Sequence, residues 1–541
     1  MIGPSPDRAG SRVSETFPTG PIHGQQDAPA EWKRRGLLLG AATGAAALAA
    51  TAAGASAAHA DPPSDTCREI ATRAEVETTT IPATQTFLRT AGYASAGDGG
   101  DALYRRVATE PDHQAKVQSE DGAWWSLVYS IEVRPQQFGA VNDNSTDCTS
   151  AFQNMFDFVS TLGSGVYAGA TVHVPAGRYR IDPVTISAPS CRVIGDGLNG
   201  SLLIARTAGQ SHVLHFTAAN GNTEIRSLEV WGWDTVTEPD NFAEVGLRFD
   251  GSGPTMEDFR VAQCGTCVWS TKGSKGDIRN GMIGNYTEVG IHLGGVEGSA
   301  IAETMITALD IYSGAPKIQQ DATAYGGVGI KLDSFCAATY LEHIWLGSNV
   351  IAIEIVDSLG SGNARAPGHV NVRRVNMGRC RDAGLWIKNN GSSLNAVASR
   401  FSADGAADAD GLRVDSPNAG VLLYDCGWHW CRRSGIRVTD GGAVIVNGGT
   451  FREIGTAGGG APGVGVLLAD GAASVSVQGA NVEADLLQSG NDRDLESAVR
   501  IESPFSGVVD VMGCRVVDAT GVALRNDSST ATLNTQGNLI R

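Results

Sequence analysis

Residues 256–270 read MEDFRVAQCGTCVWS, and the pattern in this stretch returns along most of the chain. The first four residues form a tetrad: an apolar residue, a variable residue, a turn-former, and an apolar or small residue. A second strand-like segment that begins with glycine (265–270) follows after a turn. The shortest steps between copies are 22 or 23 residues, and the copies of the tetrad are IRSL (225–228), MEDF (256–259), IRNG (278–281), IAET (301–304), LEHI (341–344), VRRV (372–375), LYDC (423–426), IVNG (445–448), VQGA (477–480) and VMGC (511–514).

A repeat of this length, built from short strands without helices, predicts an all-β fold, a right-handed parallel β-helix. Each strand would pair with its equivalent one coil earlier, at about 4.8 Å, and so satisfy its backbone hydrogen bonds. Because side chains alternate across a strand, we expect Ile225, Leu228 and Val230 inside. The same alternation places Arg226 and Glu229 outside. A leucine-rich solenoid has a similar period but needs a fixed Leu and Asn pattern that this chain lacks.

Residues 138–160, FGAVNDNSTDCTSAFQNMFDFVS, precede the repeats and predict one short amphipathic helix. The open end of a β-helix exposes unpaired strand edges, which something must cover. We therefore expect a capping helix at about 149–160, followed by the first strand in TVHVPAGRYRI (171–181). The residues that share the apolar face of this helix by their spacing are Phe152, Met155, Phe156 and Val159.

The stretch 138–160, together with VPAGRY (174–179), resembles the start of the pectate-lyase-3 or rhamnogalacturonase-like β-helix domain. The preceding segments GDGG (97–100) and DGAWW (121–125) resemble the lead-in of phage tailspike-like proteins. This resemblance implies a polysaccharide or oligosaccharide substrate and a homotrimer. AQCGTCVWSTKG (262–273) also resembles a coil of inulin fructotransferases, but Gln263 stands where that family has a carboxylate.

The N-terminus predicts an export signal over residues 1–60. Paired arginines at 34–35 precede an Ala- and Leu-rich run that ends at Ala58-His59-Ala60, an A-x-A-like cleavage site. The segment resembles a twin-arginine signal; the alternative is an uncleaved membrane anchor over 36–58. We expect a secreted or periplasmic protein, outside the membrane after cleavage. A small β-rich segment (61–134) and the β-helix domain (135–541) would follow.

Composition restricts the partners of the chain. A formal net charge of -17 argues against a nucleic-acid binder, which needs a basic face. We expect most of the ten cysteines to be buried small residues, since their spacing matches no zinc site. We expect no cofactor and no metal.

The outward positions of the repeats provide the candidate site. Carboxylates, arginines and tryptophans on one face suit a sugar chain, because Trp stacks on pyranose rings and charged groups bind hydroxyls. The second tetrad positions are Arg226, Glu257, Arg279, Ala302, Glu342 and Arg373. The positions directly after the tetrads are Glu229, Arg260, Met282, Met305, Trp345 and Asn376.

We predict Glu229 and Glu257 as the catalytic carboxylate pair, with Asp234 as substitute. Two long insertions, 234–244 and about 308–327, enlarge the same region, and loops beside a rigid face commonly carry function. The residues predicted to bind substrate are Trp231, Trp233, Arg260, Arg279, Glu342, His343 and Trp345. The alternative is that these charges only form a ladder that discourages aggregation.

The predicted function is a glycosidase that cleaves a polysaccharide with two carboxyl groups, which neighbouring coils can supply at suitable spacing. A polysaccharide lyase or a fructotransferase-like enzyme is the alternative reaction, with Arg260, Arg279 and His343 available to a lyase. A non-catalytic carbohydrate-binding surface protein is the alternative from another class.

Overall fold

The computed structural model describes residues 67–162, 169–217, 223–251, 253–313, 326–360, 367–389, 393–455, 463–483, 495–517 and 519–541. The predicted export signal lies outside these ranges. The described chain is nearly all β-structure, divided between a five-stranded sheet and a 38-stranded sheet. No helix among the described residues is long and apolar enough to cross a membrane.

The five-stranded sheet belongs to the N-terminal segment and packs around a small core that includes the fully buried Trp125. A short helix, α1 (Arg73–Glu77), accompanies it, and a 3-10 turn (Pro135–Phe138) leads onward. The strands are Arg68–Ile70, Phe87–Thr90, Ala102–Val107, Lys116–Gln118 and Trp124–Leu127.

The large sheet is a right-handed parallel β-helix, as the repeats predicted. Every long-range strand pair in it is parallel and joins equivalent positions of successive coils, which have three faces. Face A contains Thr171–Val174, Arg192–Gly195, Thr223–Arg226, Cys336–Glu342, Val370–Arg373, Leu394–Val397, Ala472–Gln478, Ser506–Met512 and Ala531–Gln536. Three strands run from face A into face B: Pro254–Ala262, Asp277–Gly284 and Ile301–Tyr312.

Face B follows face A after a sharp turn. Its strands are Gly177–Ile181, Ser201–Ala205, Glu229–Trp231, Trp345–Gly347, Asn376–Gly378, Arg400–Ala403, Gly427–Cys431, Thr450–Ile454, Asn481–Glu483, Arg515–Val517 and Leu539–Ile540. Two short strands, Asp143–Asp147 and Gly273–Ser274, pair beside these faces.

Face C completes each coil. Its strands are Val184–Ile186, His212–Phe216, Ala243–Phe249, Cys264–Ser270, Val289–Leu293, Gly326–Leu332, Asn349–Val356, Ala383–Lys388, Gly463–Leu468, Leu495–Ile501 and Leu524–Asn526. Two long strands, Asp410–Tyr424 and Ser434–Asn447, run from face C into face A of the next coil.

The turn between faces A and B explains the third tetrad position. Ser227, Asp258 and Asn280 have φ of 53°, 51° and 52°, and His343 has 55°. This left-handed conformation favours Gly, Asn and Asp, which is why turn-formers recur there. The inward predictions are confirmed as well, since Ile225, Leu228 and Val230 are all buried.

Two tetrads were assigned out of register. Ile278 pairs with Ile306, so the true copy is ITAL (306–309), and IAET (301–304) lies at the preceding corner. Leu423 pairs with Val446, so the later copy is VNGG (446–449) and not IVNG. The outward columns therefore contain Thr307 and Asp310, and the prediction of Ala302 and Met305 at those places is wrong.

The predicted helix is present as α2 (Thr149–Thr161). Its apolar face is buried against the first coil, where the rings of Phe152 and Tyr179 lie 5.5 Å apart. The amide of Gln153 donates to the carbonyl of Thr185, 2.9 Å away. Its function as a cap stays a prediction.

The cysteines follow the sequence prediction. All ten lie in the described ranges and none is in a disulfide; nine of them are buried, and Cys67 is exposed.

Candidate functional site

The charged side chains on the strands of face A between residues 192 and 284 are paired with one another. Arg226 lies 2.9 Å and Arg279 lies 3.2 Å from the two carboxylate oxygens of Glu257. Arg226 also contacts Glu224 at 3.0 Å, and Arg279 contacts Asp277 at 2.7 Å. The hydrogen bond from Arg279 lowers the pKa of Glu257. We call this network the charge ladder; it is the arrangement that the alternative interpretation predicts.

Glu229 is not on an open surface, so its predicted exposed position is wrong. Its side chain is 1% exposed and forms an ion pair with Arg260 at 3.1 Å. The backbone N–H of Asn199, from the preceding coil, donates to the other carboxylate oxygen and covers it. Glu229 and Glu257 do lie one coil apart in neighbouring columns, on either side of the turn. Their catalytic function stays a prediction.

Two other residues predicted near this pair, Asp234 and Trp233, form hydrogen bonds of their own. Arg180 donates to Asp234 at 2.6 Å, and the indole N–H of Trp233 donates to Glu238 at 2.9 Å. Trp231 is half-buried between its register neighbours on face B. The first insertion is shorter than predicted, since a strand begins at Ala243. The second begins later, since a strand continues to residue 312, and 314–325 lie outside the described residues.

The coil at 336–347 presents a different surface. Tyr340 and Trp345 are 45% and 44% exposed and lie on the two sides of the turn at His343. Glu342 stands between them and is only loosely paired, at 3.7 Å from His343 Nδ1 and 3.9 Å from Arg373. We call this group of residues the Tyr340–Trp345 site. The structure brings together three of the predicted substrate-binding residues here.

A second carboxylate, Asp310, lies beside this site. It is the register partner of Trp345 on the neighbouring coil, and Thr307 is the partner of Glu342. Asp310 is exposed, and its side chain makes no hydrogen bond or ion pair among the described residues. Sequence reasoning missed it because the tetrad of its coil was assigned five residues too early; the tetrad ITAL is the signal that finds it.

A groove of about 640 Å³ begins at Tyr340 and extends over the following coils of face A. Two amides, Asn371 and Asn395, succeed Tyr340 in register, and Leu422 continues the column. His369 Nδ1 lies 2.7 Å from Ser393 Oγ at the rim. An aromatic ring followed by amide side chains can stack on a sugar ring and bind its hydroxyls.

Within the described ranges, no group of three or more His, Cys, Asp and Glu side chains is arranged to hold a metal ion.

Comparisons with known proteins identify the start of the β-helix. Residues 131–237 match the family model described as "Rhamnogalacturonase A/epimerase, pectate lyase-like". The match includes Glu229 and Asp234 and ends before the Tyr340–Trp345 site. No curated protein matches the chain.

Two solved structures that resemble the chain come from bacteriophages. The pre-mature gene product 12 of phi29 is 13% identical with a TM-score of 0.54, over 76% of this chain and 56% of that one. Tailspike protein 3 of bacteriophage CBA120 is 13% identical with a TM-score of 0.51, over 77% of this chain and 64% of that one. The chain thus spans less than two thirds of either protein. At such identities the likeness concerns the fold alone.

Proposed function

We propose that the protein is a secreted carbohydrate-active enzyme that cleaves a polysaccharide, most simply as a glycoside hydrolase. The observation that carries the proposal is the Tyr340–Trp345 site, where two exposed aromatic rings flank a loosely paired carboxylate and one of the rings, Tyr340, lines the end of a groove. The description of the family model supports the substrate class.

We assign the two carboxyl groups of the reaction to Glu342 and Asp310. A glycosidase needs one carboxylic acid to protonate the leaving oxygen and one carboxylate to attack or to activate water. The two residues lie on neighbouring coils, about 4.8 Å apart along the axis, on opposite sides of one turn. Unlike Glu257, neither is held by two arginines, so each carboxyl group is open to contact a substrate.

The remaining residues of the site would position the sugar. Tyr340 and Trp345 offer ring faces on either side of the carboxylates, and aromatic rings stack on the apolar faces of pyranoses. Asn371 and Asn395 would bind hydroxyl groups of units further along the groove.

A lyase is the second candidate, and one contact favours it. His343 Nε2 lies 3.2 Å from the guanidinium of Arg374, and Arg373 stands beside Glu342. A lyase needs a base and a cation that neutralises a uronate, and this pair supplies both types of group.

One screen separates these reactions. Purified mature protein is incubated with a panel of neutral and uronate polysaccharides, and reducing ends and ultraviolet absorbance of unsaturated products are measured together. We expect new reducing ends without absorbance. Absorbance that rises with the reducing ends would identify a lyase. Binding without either signal would identify a non-catalytic protein and reject the proposal.

Export and assembly belong to the same proposal. The paired arginines and the Ala58-His59-Ala60 site support twin-arginine export, and mass spectrometry of the exported protein should begin near Asp61. An intact N-terminus in the membrane fraction would contradict export. We further propose a homotrimer by analogy with related β-helices; light scattering that gives the mass of one chain would contradict it.

A further inference from the structure

A separate pocket lies between the N-terminal sheet and α2. It has a volume of about 820 Å³, within the range of small-ligand sites. The first strand of face A is six coil steps from the strand that contains Tyr340, about 29 Å at the spacing of parallel strands. The pocket is therefore distinct from the Tyr340–Trp345 site.

Two charged side chains in this pocket have no partner of opposite charge. Arg105 and Asp112 are both exposed at its edge, and neither forms an ion pair or a side-chain hydrogen bond among the described residues. The two free groups balance each other, so the pocket has no net charge from them.

A histidine completes the polar side. His113 Nε2 lies 3.4 Å from Ser126 Oγ, and its ring meets the ring of Phe158 edge to face at 4.9 Å. Burial, followed by the nearby Lys116, lowers the pKa of His113, so the ring is neutral at neutral pH. It offers a hydrogen-bonding group without adding charge.

The pocket also has an aromatic part. Phe87, Tyr129 and Phe158 line it. The hydroxyl of Tyr129 donates to the carbonyl of Ile131 and accepts from the backbone N–H of Thr171, both at 3.1 Å. This ring is held in place before any ligand arrives, which lowers the entropic cost of binding.

We propose that this pocket is a second binding site, for a neutral oligosaccharide. Fixed aromatic rings suit the apolar faces of sugars, and the uncommitted Arg105 and Asp112 side chains suit their hydroxyls. The balance of one free cation and one free anion favours a neutral sugar over a uronate. The class of ligand rests on the proposed function; the site itself does not. It would hold the polysaccharide while the distant groove acts on it, which increases avidity.

The test uses the full mature chain with Tyr340→Ala and Trp345→Ala, which remove the stacking surfaces of the groove. This protein is applied to a glycan array that carries neutral and uronate oligosaccharides, and any neutral ligand is then titrated by calorimetry. Arg105→Ala and Asp112→Ala should each weaken that binding at least tenfold. Arg89→Ala, an exposed arginine on a neighbouring strand, is the matched control and should leave it unchanged.

Three results would overturn the pocket proposal: no neutral ligand on the array, binding of uronates only, or equal affinity of the Arg105, Asp112 and Arg89 variants. If polysaccharide turnover by the wild type persists in any of these cases, the proposed function survives alone. If pocket binding is found but no polysaccharide is cleaved, only the proposed reaction fails.

Discussion

Glu257 of the charge ladder and Glu342 of the Tyr340–Trp345 site occupy the same column of face A, a few coils apart, and differ in what their carboxylates contact. In the ladder, Glu257 meets two arginines within 3.2 Å, and no aromatic side chain of that region is among the exposed ones. At the site, Glu342 lies 3.7 Å from His343 and 3.9 Å from Arg373, and exposed rings stand on both sides. The comparison teaches that an outward carboxylate in a β-helix is a functional candidate only where its neighbours leave it unsatisfied.

The largest expected effect lies at the ion pair of Glu229 and Arg260, beside the charge ladder. Arg260→Ala leaves the carboxylate of Glu229, which is 1% exposed, without its ion-pair partner. Breaking a buried pair from one side costs about 3–5 kcal/mol of unfolding free energy. Denaturant unfolding measures this loss, and the double variant Glu229→Gln/Arg260→Ala should recover part of it. A single variant as stable as the wild type would show that Glu229 is solvated.

The carboxyl group of Asp410 differs from those of Glu257 and Glu342 in its burial. Asp410 on face C is fully buried, and burial raises its pKa to about 6. Because the folded-state pKa lies above the unfolded value, the protonated carboxyl group stabilises the folded protein at low pH. This contribution to the unfolding free energy is lost as pH rises through about 6. Between pH 4 and pH 8, Asp410→Asn should gain up to about 3 kcal/mol of unfolding free energy relative to the wild type.

Unfolding curves at several pH values test the Asp410 prediction. The stability difference between variant and wild type should change mainly between pH 4 and pH 6. Parallel pH profiles for the two proteins would show that Asp410 is ionised throughout and closer in kind to the ladder carboxylates.

A smaller effect is expected from the exposed ring of the site. Trp345→Ala should weaken oligosaccharide binding about tenfold, because one aromatic stacking contact is worth about 1 kcal/mol or slightly more. Thermal stability should not change, since the ring is 44% exposed. Trp233→Ala is the matched control in the ladder region. Equal losses of affinity in the two variants would place the sugar across both regions.

Most of the fold could be predicted from the sequence because it depends on local repetition. The left-handed turn requires the same residue types in every coil, so the tetrads mark the corners. The predicted tetrad position is wrong at Ile301–Tyr312, where Glu303 and Ala308 both adopt a left-handed conformation, with φ of 55° and 53°. Two adjacent corners there look alike in sequence, and the choice of the wrong one hid Asp310.

The site was harder to predict because pairing depends on contacts between coils. Glu229 is covered by Asn199, 30 residues earlier in the chain, and no local pattern reveals that contact. Likewise, the alternation of side chains puts Glu257 and Glu342 on the same outer face. Only the contacts between coils show that Glu257 is held by Arg226 and Arg279, while Glu342 has only longer contacts with its charged or ionisable neighbours.

The central claim is tested most directly by the turnover of two isosteric variants, Glu342→Gln and Glu257→Gln, on whichever polysaccharide the wild type cleaves. Both residues are outward glutamates of face A, so the substitutions are matched. We expect Glu342→Gln to lower kcat about a hundredfold or more with unchanged folding, as loss of an acid–base group does. Glu257→Gln should keep wild-type turnover. Full activity of Glu342→Gln, or a comparable loss in Glu257→Gln, would contradict the account and return the catalytic centre to the ladder.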